Sequence, residues 1–131
     1  MFHGEGLHGY VADGTTIFPQ ALNLAGTWNT DLIGRIGRAI GSEARAMGCH
    51  DLFAPVLDVA RDPRWGRGQE TYGEDPFLTS EMGVAFVSEF EKQGIVTTPK
   101  HLIANVGDGG RDSYPIHLSE RLLREIYLPP F

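Results

Sequence analysis

Apolar residues recur along this chain with two different periods, and the alternation between them predicts its architecture. Ile33, Ile36, Ile40, Ala44 and Met47 fall three or four positions apart, which puts one apolar stripe on a helix capped by Asn29 or Thr30 and ended by Gly48. Leu78, Met82, Ala85, Phe86 and Phe90 make a second stripe, with Asp75 as cap, Pro76 at the first helical position and Gly94 closing it. Between the two, residues 52–59 are apolar on both alternating faces, as in a parallel strand covered by helices, although Pro55 interrupts the run. Residues 94–102 read as another buried strand, Phe2 and His3 as the stub of an earlier one, and the β-branched run 15–19 as a short strand or strand end. A last helix starts at Ser119, with Leu118 and Leu123 spaced as a hydrophobic staple and Pro129 and Pro130 stopping it. Strands and helices taking turns predict an α/β fold with a parallel sheet, in which ligands sit at the C-terminal ends of the strands.

Two polar features fall at those ends. Residues 61–76 hold three arginines, four carboxylates, Trp65, Tyr72 and three glycines in one strand-to-helix loop. Charges of both signs this close can orient one another around a polar ligand, and they can equally form a salt-bridged surface loop. The second feature is Lys100. Only Lys92 and Lys100 are lysine, against nine arginines, and Lys100 lies in a stretch that otherwise reads as buried. An ammonium there needs a carboxylate partner or a ligand. Asp58 reads as a buried partner of a nearby arginine or backbone group, Glu70 as a partner of Arg64 or Arg67, and Glu74 as support for the loop.

Composition narrows the function classes. With 41% hydrophobic and 21% charged residues the chain is globular, and its net charge of -6 offers no basic face to neutralise nucleic-acid phosphates. No apolar run approaches the ~20 residues of a membrane helix, and the first residues show no basic-then-apolar leader, so neither membrane nor signal peptide is expected within it. The single Cys49 excludes an intrachain disulfide. His3, His8, His50, His101 and His117 lack metal-ligand spacing, and residues 107–110 lack a nucleotide-binding glycine pattern, so no metal or cofactor is expected. Asn105, Asp108 and Asp112 do not fit a calcium loop. Trp28, at a helix start, reads as core; Trp65 is open between core and a face on which a ligand ring could stack.

Several spaced motifs carry a family resemblance. His3-Gly4-Glu5-Gly6-Leu7-His8-Gly9, Asp62-Pro63-Arg64-Trp65-Gly66-Arg67 with Glu70 and Glu74-Asp75-Pro76, and Pro99-Lys100-His101-Leu102 resemble the N-terminal domain of glycoside hydrolase family 3, the β-glucosidases, β-xylosidases and related exo-acting enzymes. Residues 111–117 and 119–128 continue the likeness. The resemblance implies a (β/α)8 TIM-type barrel, ~250 residues when whole, of which residues 1–131 form roughly the first half, an incomplete N-terminal barrel domain. It implies a retaining β-glycosidase acting on O-glycosidic bonds, a β-glucosidase first among the options, with a small saccharide or β-glucoside as its partner. Glu5, Arg67, Lys100, His101 and Arg111 would surround the non-reducing-end sugar, with Arg111 bracing a carboxylate or reaching the ligand. His101 would donate or accept according to its tautomer.

Position 5 is Glu where many members carry Asp, a pattern similar to that of xylosidase-like members, and Leu102 replaces a usual phenylalanine. Retention requires two carboxyls ~5–5.5 Å apart. The family's nucleophile lies near a Ser-Asp-Trp motif that this sequence lacks, so nucleophile and acid/base are expected beyond Phe131, with the rest of the barrel and a C-terminal domain. The 131 residues alone are then expected to be inactive. Secretion is common in the family, and the compartment stays open. The alternative is a non-catalytic carbohydrate-binding or structural α/β domain.

Overall fold

A computed structural model describes residues 1–107 and 115–131. Three short strands, β1 (His3–Gly4), β2 (Asp51–Leu52) and β3 (Val96–Thr97), form one parallel sheet in that order. His3 pairs with Asp51 and Asp51 with Val96; Gly4 pairs with Leu52 and Leu52 with Thr97. The helices α1 (Ala21–Ala25), α2 (Thr30–Ala46) and α3 (Pro76–Glu91) occupy the two crossovers. After β3 come α4 (Glu120–Leu122) and a wider π-type turn over Leu123–Tyr127. This is the α/β architecture of a partial (β/α)8 barrel, and the two long helices lie close to where the apolar stripes predict them.

Local chemistry sets the boundaries. Asn29 caps α2 by accepting the Leu32 N–H at 2.9 Å, and Asp75 caps α3 by accepting the Leu78 N–H at 2.7 Å with Pro76 following. Gly48 takes a left-handed φ of 81° just past α2, where a side chain would be strained. The stripes of α2 and α3 pack together with Leu52, Ala54, Leu57 and Ile95, and Ile40 and Phe90 lose all solvent contact. A second apolar cluster joins Val56, Val59, Trp65, Ala104, Val106 and Tyr127, with Leu118 and Leu123 against it, as the staple spacing predicts.

Several expectations are corrected. Sheet pairing covers much less of residues 52–59 than expected, because Pro55 has no N–H to give to a ladder. The segment continues as extended chain, bridged at Val56 to Lys100, and pairing in 94–102 is likewise confined to Val96 and Thr97. Residues 15–19 form no strand. The Thr15 hydroxyl donates to local carbonyls of Ala12 and Tyr10, while Thr16 binds the Glu43 carboxylate through its N–H and hydroxyl, each at 2.8 Å, so these groups serve a loop instead. Trp28 is not core: it is 72% exposed at φ 54°, because Leu24 and Ala25 of the short helix α1 take the buried positions before it. Met47, at the C-cap of α2, is exposed as well.

One determinant of the packing has no hydrophobic signature. Gly34, Gly37 and Gly41 sit on the buried face of α2, and a Cβ at Gly37 would stand 2.9 Å from the carbonyl oxygen of Phe86 on α3. The atom in the way is backbone, so no rotamer can relieve it. Gly37→Ala is therefore expected to lower Tm, because overpacking costs about 1–3 kcal/mol against the roughly 1 kcal/mol that alanine favours a helix over glycine. Thermal unfolding followed by circular dichroism checks this, and an unchanged or raised Tm would show that α2 and α3 can separate freely.

Candidate active-site cluster at the strand ends

The parallel ladder does not stop where regular pairing ends. Phe53 N–H donates to Gly4 O at 2.9 Å and Thr98 N–H to Leu52 O at 3.0 Å; further along, Lys100 N–H donates to Pro55 O at 3.0 Å and Leu57 N–H to Lys100 O at 2.7 Å. Three chain segments thus run out side by side, and their first charged side chains emerge at one rim. Glu5 follows β1, Asp58 ends the extension of β2, and Lys100 and His101 end that of β3; the peptide bond between the last two is cis. The loop 61–75 folds back over them through two 3-10 turns, Pro63–Trp65 and Gly68–Glu70.

That loop is anchored by its own composition. Asp62 accepts from the Arg64 backbone at 3.0 Å and pairs with its guanidinium at 2.7 Å, which holds the Asp62 carboxyl below the usual range. Trp65 is buried, closing the second cluster, so the choice left open for it resolves to core. Gly66 turns the chain at φ 81°, and Arg67 comes back with its guanidinium 5.9 Å from the Trp65 ring.

The charges interlock. Arg67 makes a bidentate pair with Glu70, at 2.7 and 2.6 Å. Arg67 Nη1 is 3.3 Å from His101 Nε2, and His101 Nδ1 is 2.7 Å from Asp58 Oδ2, which also accepts the His101 backbone N–H at 3.1 Å. Lys100 Nζ reaches both oxygens of Glu5, at 3.0 and 2.8 Å, and lies 5.9 Å from the Phe53 ring. The partner that Lys100 was expected to need is therefore Glu5, and Glu70 pairs with Arg67 as one of its two expected partners. Asp58 is buried and binds a backbone group, one of its two expected partners, and it also holds an imidazole that was not expected. The hydrogen bonds from Arg67 lower the Glu70 pKa against the opposing effect of burial, with Lys100 and His101 adding to the lowering. Glu70 in turn raises Arg67, helped by Asp58 and Glu5. Those mutual effects mark one electrostatic cluster.

Glu5, Arg67 and Glu70 line a hollow of about 170 Å3 with Leu7, His8 and Gly9; Lys100 and His101 are not among its lining residues and touch it only through their contacts to Glu5 and Arg67. His8 is held there by Phe18 O at 3.0 Å. A larger groove of about 660 Å3 lies on another side of the same loop, lined among others by Trp28, Asp62, Tyr72 and Glu74. Its size does not make it the stronger site, because Asp62 is committed to Arg64 and Asp75 to capping α3, whereas the opposite charges of the smaller hollow face one another. Arg111, Asp108 and Asp112 lie outside the described residues. The tie between Asp58 and His101 was missed in the sequence; an ionisable residue inside an apolar run was its only signal.

A parallel α/β sheet with its charged groups gathered at the strand C-termini is the layout of the active-site face of a (β/α)8 barrel. The chain belongs to glycosyl hydrolase family 3: the family description "Glycosyl hydrolase family 3 N terminal domain" matches residues 1–131. Among curated relatives, a beta-xylosidase of Formosa agariphila is 41% identical over 151 residues, covering 100% of this chain and 20% of that protein. A beta-glucosidase of Rhizobium radiobacter is 42% identical over 114 residues, 87% of this chain and 14% of its own length. Among solved structures, beta-glucosidase 3B of Thermotoga neapolitana in complex with glucose superposes with a TM-score of 0.86 at 35% identity, covering 98% of this chain and 19% of that one. The chain thus spans about a fifth or less of these relatives.

The Arg67–Glu70 pair has a pH signature. Because Glu70 is held below the ordinary glutamate value of 4.5, the unfolded chain binds more protons than the folded one as pH falls through and below that value. The stabilisation from the pair is present above that range and lost in acid. Chemical denaturation at stepped pH should show the parent losing stability below about pH 4.5 more steeply than Glu70→Gln. Parallel profiles for the two proteins would deny the pair that role.

Proposed function

We propose that this chain is the sugar-gripping part of a retaining, exo-acting β-glycosidase, a β-glucosidase first among the options, and that Glu5, Arg67, Lys100 and His101 hold the non-reducing-end pyranose. The observation that carries this reading is the convergence at one rim of four side chains drawn from two strand ends and one loop. Their chemistry suits a polyol. Lys100 and Arg67 supply charge-assisted donors, and the Glu5 carboxylate can accept from two neighbouring hydroxyls. Family membership supports the reading, as do solved relatives bound to glucose and, in Listeria innocua, to laminaribiose.

The nucleophile and acid/base belong, on this reading, to polypeptide outside residues 1–131, together with the rest of the barrel. The two carboxylates that line the hollow are each in an ion pair, Glu5 with Lys100 and Glu70 with Arg67, which suits groups that orient a ligand. Retention needs two carboxyls ~5–5.5 Å apart across the scissile bond. The sheet supports an incomplete domain too, since β1 and β3 each pair on one edge only among the described residues.

Two experiments test this. In the complete enzyme, Lys100→Ala and Arg67→Ala should each lower kcat/KM on an aryl β-glucoside by about 100-fold or more, the range expected when a charged ligand contact is lost from a closed site. Parent-level turnover in either variant removes that residue from the site. Residues 1–131 alone should give no hydrolysis above a blank, and turnover abolished by Lys100→Ala would place the catalytic groups within this chain.

A further inference from the structure

Asp58 is the most deeply buried carboxylate of the described structure, its side chain without solvent exposure, and the sugar-binding reading gives it no task. Its Oδ2 faces the backbone N–H and the ring Nδ1 of His101, at 3.1 and 2.7 Å, while Oδ1 has no hydrogen-bond partner. On the far side of the imidazole, Nε2 stands 3.3 Å from Nη1 of Arg67. A guanidinium carries donors only, so Nε2 must present its lone pair to that contact. A proton on Nε2 would set N–H against N–H with no acceptor between them. The ring proton therefore belongs on Nδ1, where Asp58 Oδ2 accepts it.

We propose that Asp58 is a positioning residue that fixes His101 as the neutral Nδ1–H tautomer, so that Nε2 is a hydrogen-bond acceptor, facing Arg67 Nη1 in the described structure and, once that contact opens, accepting a hydrogen bond from one hydroxyl of the bound sugar. The second half rests on the saccharide reading above; the first half does not. The consequence is a defined sharing of roles. Lys100 and Arg67 can only donate to hydroxyl oxygens, whereas Glu5 and His101 Nε2 can only accept from hydroxyl protons. Each hydroxyl of a vicinal diol is both donor and acceptor, and a site offering both kinds of partner satisfies them together. A buried anion beneath the ring suits this better than a neutral group. Being wholly desolvated, it has no solvent to turn to, and the imidazole edge and the His101 N–H hold it in one orientation. Neither tautomer is favoured by imidazole itself strongly enough to specify the site alone.

The decisive measurement reads the parental ring directly. In protein labelled with 15N in its histidine rings, long-range proton–nitrogen spectra at neutral pH, with His101 assigned by its loss in His101→Gln, should show Nδ1 protonated and Nε2 bare. A proton on Nε2, or on both nitrogens, overturns the assignment. Glucose added to saturation should then shift the Nε2 resonance; an unmoved resonance in a ring of the assigned tautomer refutes the saccharide contact and leaves the tautomer standing. In the complete enzyme, Asp58→Asn offers His101 either a carbonyl or an amide. Mixed tautomers and a fall in kcat/KM of about 10- to 100-fold, the usual range for a partner one shell removed, are expected. Parental tautomer together with parental kcat/KM in that variant would show that Asp58 does not set the ring.

Discussion

Parallel register across the three strands is the constraint on which the rest of this molecule depends. Side-by-side pairing of Gly4, Leu52 and Thr97 means that the chains leave the sheet at the same level and in the same direction. The first charged residues beyond each then gather at one rim. Because the ladder is extended by isolated bonds, from Phe53 to Gly4 and from Leu57 to Lys100, this alignment persists beyond the regular strands. A slip of one residue would turn Lys100 or Asp58 to the opposite face.

At that rim a connected path runs from Asp58 through the imidazole of His101 to the Arg67 guanidinium and the Glu70 carboxylate, with the pair of Lys100 and Glu5 alongside. Partly buried ions are tolerable only when each meets a partner of good geometry, and the bidentate Arg67–Glu70 fork meets that condition. The pair of Lys100 with Glu5 differs, since the Glu5 side chain is 61% exposed and water screens it. It is accordingly the member most easily opened by an incoming hydroxyl. Rigidity at Asp58 and Arg67, with looser pairing at Glu5, gives the cluster a fixed floor and a yielding edge.

The helices hold this arrangement from behind. Glycines on α2 let it approach the backbone of α3, and both then press Leu52, Ala54 and Leu57 into place beneath the rim. Trp65 has a matching task on the other side, where its buried ring ties the arginine-rich loop to Val56 and Val59. The same indole also stands near the Arg67 guanidinium, so one residue sets both the course of the loop and the direction of its working side chain.

How much of this was legible beforehand follows from the range of the forces involved. Helix stripes, the caps Asn29 and Asp75, and the stop at Gly48 are local, and the sequence by itself determined them. The isolated Lys100 in an apolar run announced a carboxylate partner or a ligand for the same reason, since a buried ammonium must be met by one wherever the chain goes. Its choice of Glu5, ninety-five positions away, was decided by strand register alone. Trp28 was misplaced because exposure depends on what α1 buries first, and residues 15–19 because Glu43, far along the chain, satisfied the groups a strand would have used. The tautomer-setting contact of Asp58 lay further still from view. Only tertiary structure could bring Arg67 to one side of the imidazole and Asp58 to the other, since hydrogen-bond roles are settled by neighbours in space, whereas sequence patterns record neighbours along the chain.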